Sequence, residues 1–190
     1  MDNWKKDILK IPNLLSLLRL GLIPIYISIF LNARSLRDYW LAGGILALSC
    51  LTDLVDGYIA RKYDLITTLG KLLDPIADKF TQLVLTICLS MKYPVLWPVL
   101  ILFLIKEFFQ FFAALAHYRQ GKALDGALMS GKICTCVLFG GFTLLMFIPN
   151  MPDNVINLIA FADGICLSFA FIQYIFAFFG KYAQVHDIDG

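Results

Sequence analysis

The chain has 190 residues, 59% of them hydrophobic, and a formal net charge of only +2. Its mean hydropathy of +0.76 is too apolar for a soluble domain of this length, because apolar runs of roughly 17–25 residues are what membrane-spanning helices require. The strand alternation of an outer-membrane barrel is absent, so the composition predicts an all-α, polytopic membrane protein forming one domain over residues 1–190.

In residues 1–11, Trp4, Ile8 and Ile11 share one helical face and Lys5, Lys6 and Lys10 lie away from it. That pattern predicts a short amphipathic helix on the membrane surface. Pro12-Asn13 interrupts it. Six spans then follow, at about residues 13–31, 40–60, 71–90, 94–117, 129–149 and 154–180. The first is long enough to cross and has no small-residue cleavage site after it, so it reads as a retained helix and not a signal peptide. Cys50, Cys88, Cys134, Cys136 and Cys166 all fall in apolar stretches and read as small buried hydrophobes. The many Phe residues of the fourth span, Phe103 to Phe112, read as lipid-facing or interhelical packing.

Six spans place both termini on one side. That side carries Lys5, Lys6, Lys10, Arg61, Lys62, Lys71, Arg119, Lys122 and Lys181, against Arg34, Arg37 and Lys92 opposite. The excess of Lys and Arg predicts that the termini face the cytoplasm.

The informative segment lies between the second and third spans. Asp53, Asp56, Gly57 and Ala60 are at i, i+3, i+4 and i+7, with Arg61 following; Gly70, Asp74 and Asp78 come after a short turn. On helices these positions form two stripes, able to meet near the turn at the cytoplasmic end. Ionised groups beside a bilayer are expensive and demand a partner, and like charges this close cannot all remain unpaired. One or two Mg²⁺ or Mn²⁺ ions would answer that demand and bind phosphate oxygens as well. Gly57 and Ala60 leave room for a bulky group, and Arg61 can fork onto a phosphate or carboxylate.

The run Asp53-x2-Asp56-Gly57-x2-Ala60-Arg61-x8-Gly70-x3-Asp74-x3-Asp78 resembles, without a gap, the signature of the CDP-alcohol phosphotransferases. These are six-helix membrane enzymes that displace CMP from a CDP-alcohol with an incoming hydroxyl. The resemblance implies that Asp53, Asp56 and Asp74 are metal ligands holding the pyrophosphate. It implies that Asp78 completes the metal shell and is the general base. Gly57, Ala60, Arg61 and Gly70 would then flank the CDP-lipid.

The flanks, Ile11-Pro12-Asn13-Leu14-Leu15-Ser16-Leu17-Leu18-Arg19 and Gly70 to Lys79, resemble bacterial phosphatidylglycerophosphate synthases, which join CDP-diacylglycerol to glycerol 3-phosphate. On that resemblance Lys106, Arg119 and Lys132 are the expected acceptor-phosphate cations, with Arg19 and Lys79 as further candidates. Many glycerophosphate-using relatives have Arg-Glu where this chain has Lys106-Glu107; lysine keeps the charge and loses the bidentate fork. Ser130-Gly131-Lys132-Ile133-Cys134-Thr135 still resembles the Gly-Lys-x-x-Thr element of that group. A cardiolipin synthase taking phosphatidylglycerol is the alternative, followed by other alcohol acceptors. A divalent-cation carrier is disfavoured because its site belongs near the midplane between two access routes, whereas these acids lie at one end. The resemblance also implies a homodimer, through spans three and four; no nucleic-acid partner is expected.

Overall fold

The computed structural model describes residues 10–63, 68–119 and 129–186. Within them, a number of side chains lie outside the description, including those of Ala60, Arg61, Lys71, Arg119 and Lys132. Among the described residues there are six α-helices and no strand. They are α1 (Ile11–Leu31), α2 (Leu36–Lys62), α3 (Thr68–Lys92), α4 (Trp97–Arg119), α5 (Met129–Phe147) and α6 (Asp153–His186), with a 3₁₀ turn at Pro94–Leu96 before α4. Of the expected surface helix over 1–11, residues 1–9 lie outside the described residues, and Ile11 belongs to α1.

The helix ends follow from local chemistry. Lys10 is extended at the start of α1, and Pro12 sits in the first turn, where its missing N–H is not needed. Ser35 and Asp38 form a capping box at α2: the Asp38 carboxylate accepts from the Ser35 and Arg34 amides at 2.9 and 3.0 Å, and the Asp38 amide donates to Ser35 Oγ. Such reciprocal caps satisfy donors that a helix start leaves orphaned. They carry α2 back to Leu36, four residues before the apolar stretch begins.

Among the described residues, four helical segments are long and apolar enough to cross a membrane: Asn13–Leu31, Leu36–Ile59, Pro94–Ala113 and Asp153–Phe178; Ile133–Phe147 is apolar but shorter. Helix α3 is as long, but it carries Lys71, Asp74, Asp78, Lys79 and Lys92. Beside an apolar core, polar and charged side chains are buried and large apolar ones are exposed. Asn13, Ser16, Arg19, Asp56, Lys106 and Asp163 are buried, while Trp40, Phe111, Phe112, Phe161 and Phe176 are exposed. Apolar side chains outside and polar ones facing the protein interior are what a lipid solvent selects. The buried threonine hydroxyls are satisfied within their own helices: Thr52 donates to the Ser49 carbonyl, Thr81 to that of Ala77 and Thr86 to that of Gln82. All five cysteines are free thiols, Cys88 and Cys134 buried and Cys136 exposed.

The contacts divide the chain into two compact units. The first holds α1–α3 together with Leu145–Pro149. Here α1 packs along α2. Phe30 lies between Tyr26 and Tyr39, edge-on to the latter at 5.7 Å. Trp40 Nε1 donates to the Phe147 carbonyl at 3.1 Å. Gly43 abuts the Phe147 ring so closely that a Cβ there would lie 2.7 Å from it, so a side chain at 43 would force the two apart.

The second unit holds Lys92–Leu144 and the chain from Asn150 onward. Its core includes Leu96, Val99, Phe103, Leu138 and Leu167. Phe109 of α4 meets Phe171 and Phe178 of α6 edge-on at 5.4 and 5.8 Å, a geometry that aligns the positive ring edge with the negative face.

Candidate active site

Helix α1 presents three polar side chains at i, i+3 and i+6, Asn13, Ser16 and Arg19, and all three are buried. Their neighbours Leu14, Leu17 and Leu18 are exposed. A polar stripe on an otherwise apolar helix turns inward because lipid cannot satisfy it.

That stripe meets the aspartates. Arg19 Nη2 stands 2.7 Å from Asp53 Oδ1 and 2.8 Å from Asp56 Oδ2. Ser16 Oγ donates to Asp74 Oδ1 and lies 3.4 Å from Asp56 Oδ2. Side chains of α1 therefore join Asp53 and Asp56 of α2 to Asp74 of α3. Asp56 is the centre of this chain of contacts and is buried; the Asp53 side chain is 44% exposed, Asp74 is half-buried and Asp78 is exposed. Asp78 and Asp53 both act electrostatically on Cys50, so the fourth carboxylate belongs to the same neighbourhood. Access thus rises from a fixed, buried Asp56 to an open Asp78.

Arg19 is used incompletely. One nitrogen, Nη2, makes both contacts, while Nε and Nη1 are buried and have no hydrogen-bond partner among the described residues. A guanidinium presents five donors in a rigid fork, so part of that capacity is unused among the described residues. Arg19 was expected among the acceptor cations; its contacts here are with the carboxylates.

The donor set suits a hard divalent ion, since every candidate ligand is a carboxylate oxygen and three of the four aspartates retain exposed surface. Among the described residues no three acidic, histidine or cysteine side chains are placed closely enough to form a ready cage. At Gly57 a Cβ would meet nothing within 4 Å, so the helix surface beside Asp56 is open space. Gly70 is buried. The side chains of Ala60 and Arg61 lie outside the described residues. Nearby, the Lys62 ammonium lies over the rings of Tyr58 and Tyr63 at 5.3 and 5.8 Å.

Of the three expected acceptor cations, Lys106 is described, in the second unit; the side chains of Arg119 and Lys132 are outside the description. Lys106 is 3% exposed. Its Nζ is 2.7 Å from Glu107 Oε1 and 5.9 Å from the centroid of the Tyr174 ring. In the Gly131–Thr135 element, the Thr135 hydroxyl donates to the Gly131 carbonyl at 2.9 Å.

Sequence reasoning missed the structural part played by Ser16 and Arg19. Their i, i+3 spacing with Asn13 was the available signal. It also missed Tyr174 and Asp163. Asp163 of α6 is fully buried, both carboxylate oxygens lack a partner among the described residues, and Oδ2 would lie 3.3 Å from a Cβ at Gly141.

The sequence profile of the CDP-alcohol phosphatidyltransferase family matches residues 9–178. A protein of Rickettsia typhi named CDP-diacylglycerol--glycerol-3-phosphate 3-phosphatidyltransferase is 44% identical over 82 residues, 43% of this chain and 46% of that protein. The match therefore spans about half the length of that relative. The Bacillus subtilis protein of the same name is 33% identical over 165 residues, 80% of this chain and 83% of its own length. A cardiolipin synthase (CMP-forming)/mitochondrial hydrolase fusion protein of Schizosaccharomyces pombe is 41% identical over 90 residues, 46% of this chain and 14% of that protein.

Proposed function

The chain belongs to the CDP-alcohol phosphatidyltransferase family, and from that premise we propose that it transfers the phosphatidyl group of CDP-diacylglycerol to glycerol 3-phosphate, releasing CMP. The observation that carries this reading is the linkage of Asp53, Asp56 and Asp74 across three helices by Arg19 and Ser16. The names of the Rickettsia and Bacillus relatives support the choice of acceptor.

Members of this family generally use divalent metal ions. In the proposed scheme Asp53, Asp56, Asp74 and Asp78 hold Mg²⁺ or Mn²⁺, two ions in all, which would offset charge on the pyrophosphate and on departing CMP. The remaining steps belong to the protein. Arg19 and Ser16 keep the aspartates from turning away. The open surface at Gly57 admits the nucleotide, beside Ala60, Arg61 and Gly70. Asp78, the exposed carboxylate, takes the proton from the acceptor hydroxyl. The hydroxyl oxygen then forms its bond to the phosphorus that carries diacylglycerol, and the bond from that phosphorus to the CMP oxygen breaks. Lys106, Arg119 and Lys132 supply charge for the acceptor phosphate.

The same reading takes the chain as one domain of six spans with an N-terminal surface helix. The site and both termini face the cytoplasm of a cell membrane, as the Lys and Arg asymmetry supports. Assembly as a homodimer rests on the family resemblance alone.

The test is CMP release by purified protein given CDP-diacylglycerol and a panel of acceptors, with and without EDTA. Glycerol 3-phosphate should support turnover that chelation abolishes and Mg²⁺ or Mn²⁺ restores. Turnover with phosphatidylglycerol in its place would favour the cardiolipin synthase reading, which the Schizosaccharomyces match supports. Full turnover in metal-free buffer would remove the metal scheme.

A further inference from the structure

Lys106 is neutralised in an unusual way for a buried lysine. Its ion-pair partner is the next residue in the chain, Glu107, so the pair ties no two helices together. An ammonium has three N–H donors, and this contact occupies one. From another helix, Tyr174 of α6 brings its ring centroid to 5.9 Å from Nζ. A ring face attracts a cation through its quadrupole while leaving the N–H donors available to an anion.

The other end of the same ring rests on α5. A Cβ built on Gly131 would lie 2.5 Å from the Tyr174 hydroxyl, and 3.1 and 3.2 Å from Cε2 and Cζ. No real side chain is accommodated at 2.5 Å, so the ring holds its position because residue 131 is glycine. One aromatic side chain therefore spans from the Lys106 ammonium on α4 to the backbone of α5, at the residue before Lys132.

We propose that Tyr174 is a positioning residue for a phosphate-bearing acceptor: its face sets where the Lys106 ammonium stands, and Gly131 is the glycine that lets the ring stand there. The proposal rests on reading Lys106 as a contact for the acceptor phosphate. It also gives a physical sense to lysine at a position where arginine would bring its own geometry. A guanidinium is oriented by its planar fork, whereas an ammonium on a flexible stem must be held in place by its surroundings.

A purely structural tyrosine would affect stability and leave the two substrates' constants in step. The test is steady-state kinetics of the full-length protein, varying glycerol 3-phosphate and CDP-diacylglycerol separately, with thermal unfolding measured alongside. Tyr174→Leu should raise the acceptor KM on the order of tenfold, the worth of one desolvated cation–π contact. The KM for CDP-diacylglycerol should move by less than about twofold, because the proposal gives Tyr174 no role toward that substrate. Tyr174→Phe keeps the ring face and should show a several-fold smaller rise.

Gly131→Ala should reproduce the leucine variant's pattern, since the new methyl displaces the ring. Combining Gly131→Ala with Tyr174→Phe removes the atom that would lie 2.5 Å away, and should recover much of the acceptor affinity that Gly131→Ala loses. If Tyr174→Leu does not fold, this alanine and phenylalanine pair decides alone. Equal changes in both KM values, or a Gly131→Ala defect indifferent to the phenylalanine, would overturn the proposal. Lys106→Gln separates it from its premise. An unchanged acceptor KM there removes the premise and the proposal together. A raised KM there with an unchanged one in Tyr174→Leu removes the proposal alone.

Discussion

Arg19 in α1–α3 and Lys106 in α4–α6 are both buried cations of a membrane protein, and they are neutralised in opposite ways. Arg19 is held by Asp53 and Asp56, which stand 34 and 37 residues further along the chain. Lys106 is held by its immediate neighbour. A long-range pair exists only once the helices have packed, so it is part of what specifies the packing. An adjacent pair forms within one helix and leaves the interhelical contacts free to serve a ligand. In the proposed scheme the first unit uses its charge for architecture and metal ligation, and the second offers Lys106 to the acceptor phosphate.

The largest effect that would sharpen this contrast is within the first unit, between its most exposed and most buried members. Asp78→Asn should retain CDP-lipid binding and lose about 10²–10⁴-fold in kcat, the usual range for a general base. Near-normal turnover in that variant would transfer the base to another group. Arg19→Met should act on the fold. Removing one partner of a buried ion pair leaves the other charge uncompensated, at about 3–5 kcal/mol, which thermal unfolding in detergent would record together with lost CDP-lipid binding. A stable Arg19→Met protein would mean that Ser16 alone suffices to order the aspartates.

The matching experiment in the second unit is Lys106→Gln. The Glu107 side chain is 20% exposed and can be solvated when its partner goes, so stability should fall by only the ~1 kcal/mol typical of point substitutions. The acceptor should suffer more: losing one charge-assisted contact predicts a ten- to hundredfold drop in kcat/KM for glycerol 3-phosphate. Should Lys106→Gln destabilise the protein as much as Arg19→Met, the contrast between the two cations would collapse.

What could be read in advance follows the same division. The order of the six helices was legible, because long apolar runs punctuated by charge are the strongest signal a membrane chain carries. So was the carboxylate motif, whose spacing puts several acids on one face before any tertiary contact is known. The α2 start at Leu36 was missed because the Ser35–Asp38 cap lies upstream of the apolar run. The partner of Arg19 was not legible either, since it depends on how α1 meets α2. Tyr174 was hidden among eight Tyr and sixteen Phe, with nothing local to mark it. Its contacts to Lys106 and Gly131 come from two other helices.

The smallest expected effect concerns the one buried acid that neither half of the contrast explains. Asp163 is fully buried in α6 with both oxygens unpartnered among the described residues, beside the Gly141 backbone. Unlike Asp56 and Lys106, it makes no ion pair among the described residues. A carboxylate in that position bears the desolvation cost without compensation. Asp163→Asn keeps the shape and removes the charge, so it should stabilise the protein on the order of 1 kcal/mol, a rise of about 2–4 °C in Tm for a chain of this size. Catalytic constants for both substrates should stay put, since Asp163 makes no hydrogen bond among the described residues and has no role in the proposed scheme. A fall in Tm would show that the carboxylate has a stabilising partner and that the second unit, too, balances a charge across its helices.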